Sequence, residues 1–313
     1  MPSIRVATYN LYLGADVTVV FAVTDAEDLA SQAKGVLDQL VATDFPARAE
    51  AVARILVHEQ VDLVGLQEVA QWSREVPGGG GEVRTEVWLD FLAELLDALG
   101  RAGREYDVHA CTANFRGGAE VEGREAMTVL GHNVVLVRRG SGVRVTGERT
   151  GDFARTLDIT TPMPGLVLNV ARSWGWVDAE IEGRPLRFVN THLEAWHEEV
   201  RNAQRDELLG VIGDPGVPVL LVGDFNATPG AVDMPEEYAD AWAVAGTGGE
   251  GLTCGENADL LAAGDCLAVR IDYVWVRGAQ VVGCRVVGAR SEDRTPSGLW
   301  PSDHAGVVAE IAL

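Results

Sequence analysis

The sequence is poor in positive charge. It has 25 Lys and Arg residues against 47 Asp and Glu residues, which gives a formal net charge of -22. A surface this acidic repels a phosphate backbone, so we expect no tight nonspecific binding of nucleic acid. Lys34 is the only lysine and lies on a predicted surface helix. This excludes a mechanism through a lysine Schiff base.

Cysteine is also scarce, and its spacing argues against two kinds of site. The four cysteines are Cys111, Cys254, Cys266 and Cys284, and no two of them have C-x-x-C spacing. The sequence therefore indicates neither a structural zinc site nor a thioredoxin-like motif. Cys254 and Cys266 flank a polar loop. They could pair in an exported protein or stay free thiols in a cytosolic one, and the sequence leaves both open.

Several other features are missing. No apolar run is long enough to span a membrane. The first predicted strand begins at Ile4, which leaves no room for a signal peptide, although a chain that had lost one would look the same. The sequence has no G-x-S-x-G elbow, and His58-Glu59 lacks a second histidine at zincin spacing. The glycine-rich Pro77–Gly81 lacks the lysine of a phosphate-binding loop.

What the chain does have is enough apolar residues for a large core. Of its 313 residues, 47 % are hydrophobic and 23 % are charged, as in globular proteins. Apolar residues at helical spacing predict helices at Ala26–Val41, Pro46–Glu59, Trp88–Leu99 and Glu198–Ile212. Shorter apolar runs predict strands at Ile4–Tyr9, Val61–Gln67, Val134–Val137, Gly142–Thr146, Leu166–Val170, Trp176–Ile181, Leu186–Asn190, Val217–Val222, Arg270–Val276, Val281–Val287 and Ala305–Ile311.

The stretch Val217–Pro229 is the most informative. Val217–Val222 is a continuous apolar run that predicts a buried strand, and Gly223 ends it. Asp224 and Asn226 follow two positions apart, so an extended backbone would place both side chains on one side of the chain. Paired oxygen-bearing side chains suit a hard cation or a polarised water. A turn is the structural alternative, because Asp and Asn favour turns.

Polar residues also follow other predicted strands. The set comprises Asn10, Glu68, His192, Asp224 with Asn226, Asp272, and Asp303 with His304. Open sheets bind ligands beyond their strand ends, so we expect these side chains to converge. Their oxygen-rich chemistry favours Mg²⁺ or Mn²⁺ over Zn²⁺. Because the set spans almost the whole chain, we predict a single domain over residues 1–313.

Six short motifs that contain these residues resemble, in this order, the motifs of the endonuclease/exonuclease/phosphatase superfamily. They are Ala7–Leu11, Gly65–Val69, Asn190–Leu193, Gly223–Asn226, Arg270–Val274 and Pro301–His304. The resemblance implies an α+β fold, a four-layer α/β/β/α sandwich of two mostly antiparallel sheets flanked by helices. It also implies divalent-metal-dependent hydrolysis of phosphoesters.

The resemblance implies a role for each motif residue. Glu68 would be the main metal ligand, with Asn10 and Asp303 beside it, for Mg²⁺ or Mn²⁺. The catalytic residues would be Asp224 as general base, Asn226 orienting the attacking water, His304 and His192 on the phosphate, and Asp272 fixing the tautomer of His304. Such donors stabilise the charge that in-line attack places on the phosphate oxygens.

The sequence departs from the family between the second and third motifs, where family members often carry a Tyr or His that contacts the phosphate. His132 or Asn133 could serve instead, and Arg172 is another candidate because arginine forks onto phosphate oxygens. The basic loops of DNA-cleaving members are not evident.

These observations favour hydrolysis of a small-molecule or lipid-derived phosphoester, with a lipid headgroup ester as one possible substrate, by a protein that we expect to be a monomer. A Mg²⁺-dependent nuclease of the same fold and a non-catalytic member that binds a phosphorylated ligand are the alternatives. Both stay open, although the acidic charge disfavours nucleic acid.

Overall fold

The computed structural model describes residues 2–78, 82–121, 125–255, 257–263 and 266–313. The predicted loop Pro77–Gly81 lies mostly outside these residues. The helices are α1 (Ala26–Ala42), α2 (Phe45–His58), α3 (Phe91–Arg101), α4 (Glu198–Ile212) and α5 (Ala241–Ala245), with short 3-10 helices at Val17–Ala22 and Ser291–Asp293. The strands are β1 (Ser3–Asn10), β2 (Leu63–Pro77), β3 (Val83–Asp90), β4 (Tyr106–Val121), β5 (Glu125–Arg138), β6 (Val143–Asp152), β7 (Leu157–Thr160), β8 (Val167–Val170), β9 (Ser173–Ile181), β10 (Arg184–His192), β11 (Val219–Asp224), β12 (Ala239–Asp240), β13 (Asp272–Arg277), β14 (Gln280–Val287) and β15 (Gly306–Ala312).

The strands of the described residues form two main sheets. The first has seven strands in the order β14-β15-β1-β2-β5-β4, with β3 paired to β2. The second has six, in the order β12-β13-β11-β10-β9-β6, while β7 and β8 form a separate hairpin. The pairs β1–β2 and β10–β11 are parallel, and the other pairings of the two sheets are antiparallel.

Three apolar clusters separate four layers. One packs the first sheet against α1, α2 and α3, through residues such as Leu56 and Leu99. A second lies between the sheets, where Val135 and Phe188 are fully buried. A third packs α4, through Leu208, onto the outer face of the second sheet. The predicted α/β/β/α sandwich, an α+β fold, is therefore confirmed.

The two sheets approach each other closely at Gly65 of β2. A Cβ at this position would lie 2.6 Å from Cγ2 of Val222 and 2.7 Å from Oδ1 of Asn190, both in the second sheet. The amide of Asn190 donates to the carbonyl oxygens of Leu66 and Val134, and its oxygen accepts from Gln67. These hydrogen bonds link the sheets directly beneath the strand ends that carry the motif residues.

Local sequence signals set several helix boundaries. Asp25, Asp44 and Asp90 cap α1, α2 and α3 by accepting hydrogen bonds from backbone N–H groups of the first turn. Pro46 lies in the first turn of α2, as predicted. The prediction for α4 matches its observed bounds.

Two other predicted elements, one helix and one strand, have different bounds in the structure. Trp88 belongs to β3, so α3 begins three residues later than the apolar spacing predicted. The strand predicted at Val61–Gln67 begins at Leu63 and continues to Pro77, because β3 and β5 pair with its second half. No disulfide joins Cys254 and Cys266, both of which the structure describes.

Candidate active site

Sheet topology brings the predicted strand ends together. Asn10 ends β1 and His192 ends β10, while Asp224 ends β11. Asp272 begins β13, which runs antiparallel to β11 and pairs Asp272 with Asp224. The two parallel pairs point their carboxyl ends to the same edge, so residues more than 200 positions apart become neighbours.

Asn10 links the two sheets at this edge. Its Nδ2 lies 3.1 Å from Oε1 of Glu68 in its own sheet and 3.1 Å from Oδ2 of Asp224 in the other. Its Oδ1 accepts a hydrogen bond from the backbone N–H of Tyr12. Asn10 is fully buried, so this amide fixes the spacing between the two carboxylates. Its oxygen keeps one lone pair for a metal ion.

Glu68 has an unusual backbone conformation. Its φ is +53°, and it lies where the β2–β5 register shifts between Leu66 and Val69. A non-glycine residue in this region costs of order 1–3 kcal/mol and persists only where the surroundings impose it. The bulge aims the carboxylate at the site, where Oε2 also accepts from the backbone N–H of Leu13 at 2.9 Å.

Asp224 lies at the centre of the cluster. Oδ2, which accepts from Asn10, is 3.4 Å from Nε2 of His192 and 3.9 Å from Nε2 of His304. Burial and repulsion from Asp272 raise the pKa of Asp224 to about 7, against the lowering effect of His304. The carboxylate is therefore set to take up a proton near neutral pH.

Asn226 adopts the turn that the sequence left open as the alternative to an extended backbone. Its φ is +50°, and its backbone N–H donates to Oδ1 of Asp224 at 2.9 Å, so the two residues form a turn. Its Nδ2 donates to the carbonyl oxygen of Leu193. The turn and the site are compatible, because the turn itself holds the Asp224 carboxylate in place.

His304 and Asp272 form a buried pair. Nδ1 of His304 lies 2.9 Å from Oδ2 of Asp272. Burial would lower the pKa of His304, but the Asp272 carboxylate, together with the Cys254 thiol, raises it well above its usual value. His304 is therefore an imidazolium that turns Nε2–H toward the site. The backbone N–H of Asp272 is held by the hydroxyl of Thr253.

His192 differs from His304 in charge. Burial, the Arg172 guanidinium and His304 lower its pKa well below the usual value, so its imidazole is neutral. Nη1 of Arg172 lies 3.3 Å from its Nδ1 and 3.2 Å from its Nε2, and Nε2 lies 3.4 Å from Oδ2 of Asp224. Arg172 in turn lies 3.7 Å from the buried carboxylate of Glu194.

Asp303 directly follows the buried residue Ser302. Ser302 donates to the carbonyl oxygen of Asn10 and contacts the Asp303 carboxylate. Burial raises the pKa of Asp303 to about 6. The positive charge of His304 opposes this shift, and repulsion from Glu68 adds to it. Asp303 and Glu68 are therefore close enough for their negative charges to interact.

Arg48 holds together two backbone segments next to Asn10 and Asp303. It is completely buried and donates to the carbonyl oxygens of Leu11 at 2.7 Å and Pro301 at 2.9 Å. It thereby ties the segment after Asn10 to the segment before Asp303. Burial lowers the pKa of Arg48 to about 10, so it stays charged at neutral pH. Sequence reasoning missed this residue, because an arginine within an amphipathic helix looks like a surface residue.

The other predicted substrate contacts occupy mainly structural positions. Asn133 is buried and shares hydrogen bonds with Ser173 and Asn114. His132 is partly buried, with Nδ1 3.0 Å from the carbonyl oxygen of Val69. Both lie on β5 beside the Glu68 bulge. Neither has a hydrogen bond to Glu68 or Asp224 among the described residues.

The donor set suits a hard divalent cation. Glu68 and Asp303 are partly exposed carboxylates whose mutual repulsion a cation would relieve, and Asn10 adds an amide oxygen. Atoms of Asp224, Asp272 and His304 also lie within 4.8 Å of one another. His304 is a poor ligand, however, since its Nδ1 binds Asp272 and its ring is charged. A metal position at Glu68, Asn10 and Asp303 therefore stays a prediction.

The comparison with known families gives a match over almost all of this chain. The model of the Endonuclease/Exonuclease/phosphatase family matches residues 7–304. The chain belongs to this family. Members of the endonuclease/exonuclease/phosphatase family are in general phosphoester hydrolases and typically use a divalent metal. The resemblance inferred from the six motifs is therefore confirmed.

Solved structures show the same fold at low sequence identity. A family member from Bacteroides vulgatus is 19% identical, with a TM-score of 0.60 and 100% of both chains covered. TDP2 from D. rerio, humanized by 14 mutations, is 15% identical, with a TM-score of 0.61 and 99% of both chains covered. D. rerio TDP2 complexed with a single strand DNA product is also similar, at 15% identity, a TM-score of 0.60 and 100% coverage of both. Among curated proteins, none matches significantly.

No helix in the described ranges combines the length and the apolar character that crossing a membrane requires.

Proposed function

We propose that this protein hydrolyses a small-molecule or lipid-derived phosphoester with the help of a divalent metal ion, Mg²⁺ or Mn²⁺. The observation that carries the proposal is the position of Asp224 between Asn10, His192 and His304, with Glu68 held by the same Asn10 amide. Acid, amide and imidazole groups from both sheets meet there at the edge where the strands end.

Asp224 is the general base in this proposal. Its pKa of about 7 leaves a substantial fraction ionised at neutral pH and still gives a carboxylate basic enough to take a proton from water. Hydrogen bonds from Asn10 and from the Asn226 backbone N–H fix both of its oxygens. The fixed carboxylate orients the attacking water in line with the phosphorus–oxygen bond that breaks.

The two histidines bind the phosphoryl oxygens. His304 is cationic and donates from Nε2, while Asp272 holds its opposite nitrogen. His192 is neutral, and its Nε2, 3.4 Å from Oδ2 of Asp224, is the nitrogen that would donate to a phosphoryl oxygen. Donors fixed before the reaction stabilise charge as it develops on the phosphoryl oxygens. A cation held by Glu68, Asn10 and Asp303 would neutralise further negative charge there.

A phosphoester screen tests the proposal. Purified protein is assayed with bis-p-nitrophenyl phosphate, p-nitrophenyl phosphate and lipid headgroup esters, each with Mg²⁺, Mn²⁺ or EDTA. We expect turnover of at least one ester that EDTA abolishes and that Asp224→Asn lowers by at least about 100-fold. Asp214→Asn, at an exposed position outside the site, is the matched control. Turnover that ignores EDTA, or equal rates for the two variants, would contradict the proposal.

A nuclease is the second candidate, because the similar D. rerio TDP2 structure contains a single strand DNA product. The net charge of -22 argues against this candidate, since a DNA backbone needs a basic surface. Single-stranded DNA and supercoiled plasmid, incubated with Mg²⁺ or Mn²⁺ at low salt, separate the two. Cleavage that exceeds the turnover of the small esters would favour the nuclease.

A further inference from the structure

A groove of about 630 Å³ lies between the 3-10 helix Val17–Ala22, α1, β4, β5 and β8. Its walls are mainly apolar, with Val20, Phe21, Leu29, Trp72, Val129 and Leu168 among the lining residues. Of the described residues that line it, only Arg116 and Asp152 carry charge. Pockets for small ligands have this size and this composition. We call it the apolar groove.

Several of these side chains are not needed for the core. Val20, Phe21, Leu29 and Leu168 are partly exposed and belong to none of the four clusters of buried apolar residues. Leaving them in contact with water costs free energy, which an apolar ligand would recover. A concave apolar surface of this kind marks a ligand or partner site more often than a structural feature.

Three sets of contacts connect the lining of the apolar groove to residues of the candidate active site. Ala171 lines the groove, and the next residue, Arg172, contacts His192. Asn114 lines it and donates to Asn133, which bonds Ser173 beside the site.

The third connection is aromatic. The ring of Phe21, which lines the groove, packs edge-on against Trp196 with 5.1 Å between ring centroids. The guanidinium of Arg172 lies 5.7 Å from the centre of the Trp196 ring. Trp196 is 49% exposed, and this chain of contacts links the groove to the buried Arg172 beside His192.

We propose that the apolar groove binds the hydrocarbon chain of a phosphoester whose phosphorus lies between His192 and His304. This inference rests on the proposed function and narrows its substrate to esters with a long alkyl or acyl chain. A nucleotide fits the groove poorly, because its lining is largely aliphatic and the charge of its one arginine, Arg116, is balanced by the Asp152 carboxylate. A single chain fits better than a membrane surface, because the site is concave.

Chain length is the variable that tests the inference. We compare p-nitrophenyl methyl phosphate with p-nitrophenyl decyl phosphate, both below the concentration at which the decyl ester forms micelles. Burying about two methylene groups already gives roughly a tenfold gain. We therefore expect kcat/KM for the decyl ester to exceed that for the methyl ester at least tenfold. Equal values would overturn the inference and leave the proposed function intact.

Matched variants test whether the effect of chain length on kcat/KM arises in the groove. Val20→Asp places a charge in the groove, and Leu168→Asp does so from β8 in case the first variant fails to fold. Val282→Asp puts the same charge at a position that is 52% exposed and outside the groove. The decyl-to-methyl ratio should fall toward one in the groove variants and persist in Val282→Asp. A ratio unchanged in both groove variants would overturn the inference.

A binding measurement separates this inference from the proposed function. Decyl phosphate is titrated calorimetrically into the wild-type protein, Val20→Asp and Val282→Asp. If neither ester is hydrolysed, but Val20→Asp binds decyl phosphate at least tenfold more weakly than Val282→Asp, the proposed function fails and the groove assignment stands. No binding to the wild type, or equal binding to all three proteins, would overturn the groove assignment.

Discussion

Nδ1 of His304 lies 2.9 Å from Oδ2 of Asp272, although the two residues are 32 positions apart, Asp272 at the start of β13 and His304 near the end of the segment between β14 and β15. Both side chains are almost completely buried. The carboxylate sets both the charge and the orientation of the imidazole, which a histidine in water would not maintain.

This pairing gives the first prediction. Asp272→Asn keeps the size of the side chain but removes the charge that holds His304 protonated. We expect kcat to fall by about 100-fold or more, with KM changed much less, because Asp272 acts through His304 and not on the substrate directly. Asp178→Asn, which alters a carboxylate paired with Arg187, is the control. A rise in KM with an unchanged kcat would mean that the His304–Asp272 pair contributes only to substrate binding.

The second prediction concerns the metal. Glu68→Gln keeps the hydrogen bonds from Asn10 and Leu13 within reach but removes the carboxylate charge. We expect the affinity for Mg²⁺, or for Mn²⁺ as a tighter-binding substitute, to fall at least about tenfold in a calorimetric titration without substrate. Glu86→Gln, on the surface pair with Arg74, should leave the affinity unchanged. Equal affinities in both variants would remove Glu68 from the metal site.

The third prediction concerns Arg48. Arg48→Met removes donors from the buried carbonyl oxygens of Leu11, Pro301 and Thr43. Each hydrogen bond to a charged group contributes about 1.5–3 kcal/mol, so we expect the free energy of unfolding to fall by about 4 kcal/mol in urea titrations. Arg54→Met, from the exposed side of the same helix, should cost less than about 1 kcal/mol. Similar losses in the two variants would contradict this role of Arg48.

The fourth prediction concerns the contact between the sheets. Gly65→Ala would place a methyl group 2.6 Å from Val222 and 2.7 Å from Asn190, and backbone and side chains on both sheets must shift. We expect a loss of about 1–3 kcal/mol in the free energy of unfolding. In α3, Gly100→Ala meets nothing within 4 Å and should stabilise the protein by about 0.5–1 kcal/mol. The two substitutions should therefore shift the melting temperature in opposite directions, and thermal melts of both variants test this.

The fifth prediction concerns pH and stability. Burial tends to raise the pKa of Glu59, but its hydrogen bond and charge interaction with Arg285 outweigh burial and lower it from 4.5. A lowered pKa stabilises the folded state above the unfolded value, and this contribution is lost as pH falls through the folded value. Glu59→Gln should therefore be less stable than the wild type above about pH 5, and the difference should shrink toward pH 3.

A second variant checks that the effect comes from the pair. Arg285→Met should show the same pH dependence, and the double variant should lose little more than either single one. Additive losses in urea titrations across pH 3–7 would show that Glu59 and Arg285 stabilise the protein independently.

The sequence determined much of this molecule without the structure. Apolar spacing placed α1, α2 and α4 to within a residue or two, because these helices depend on local patterns. Six motifs in order indicated the family and the α/β/β/α sandwich, and both are confirmed. The roles of the individual motif residues stay predictions.

Tertiary structure alone decided what connects those motifs. The sequence could not show that Asn10 joins Glu68 to Asp224, that Arg48 ties the Leu11 and Pro301 segments together, or that the Asn190 amide links the sheets. It also gave no sign of the apolar groove, whose walls come from elements far apart along the chain. Local patterns specify which segments form strands and helices, whereas hydrogen bonds and packing between distant segments depend on how the strands pair and how the sheets stack.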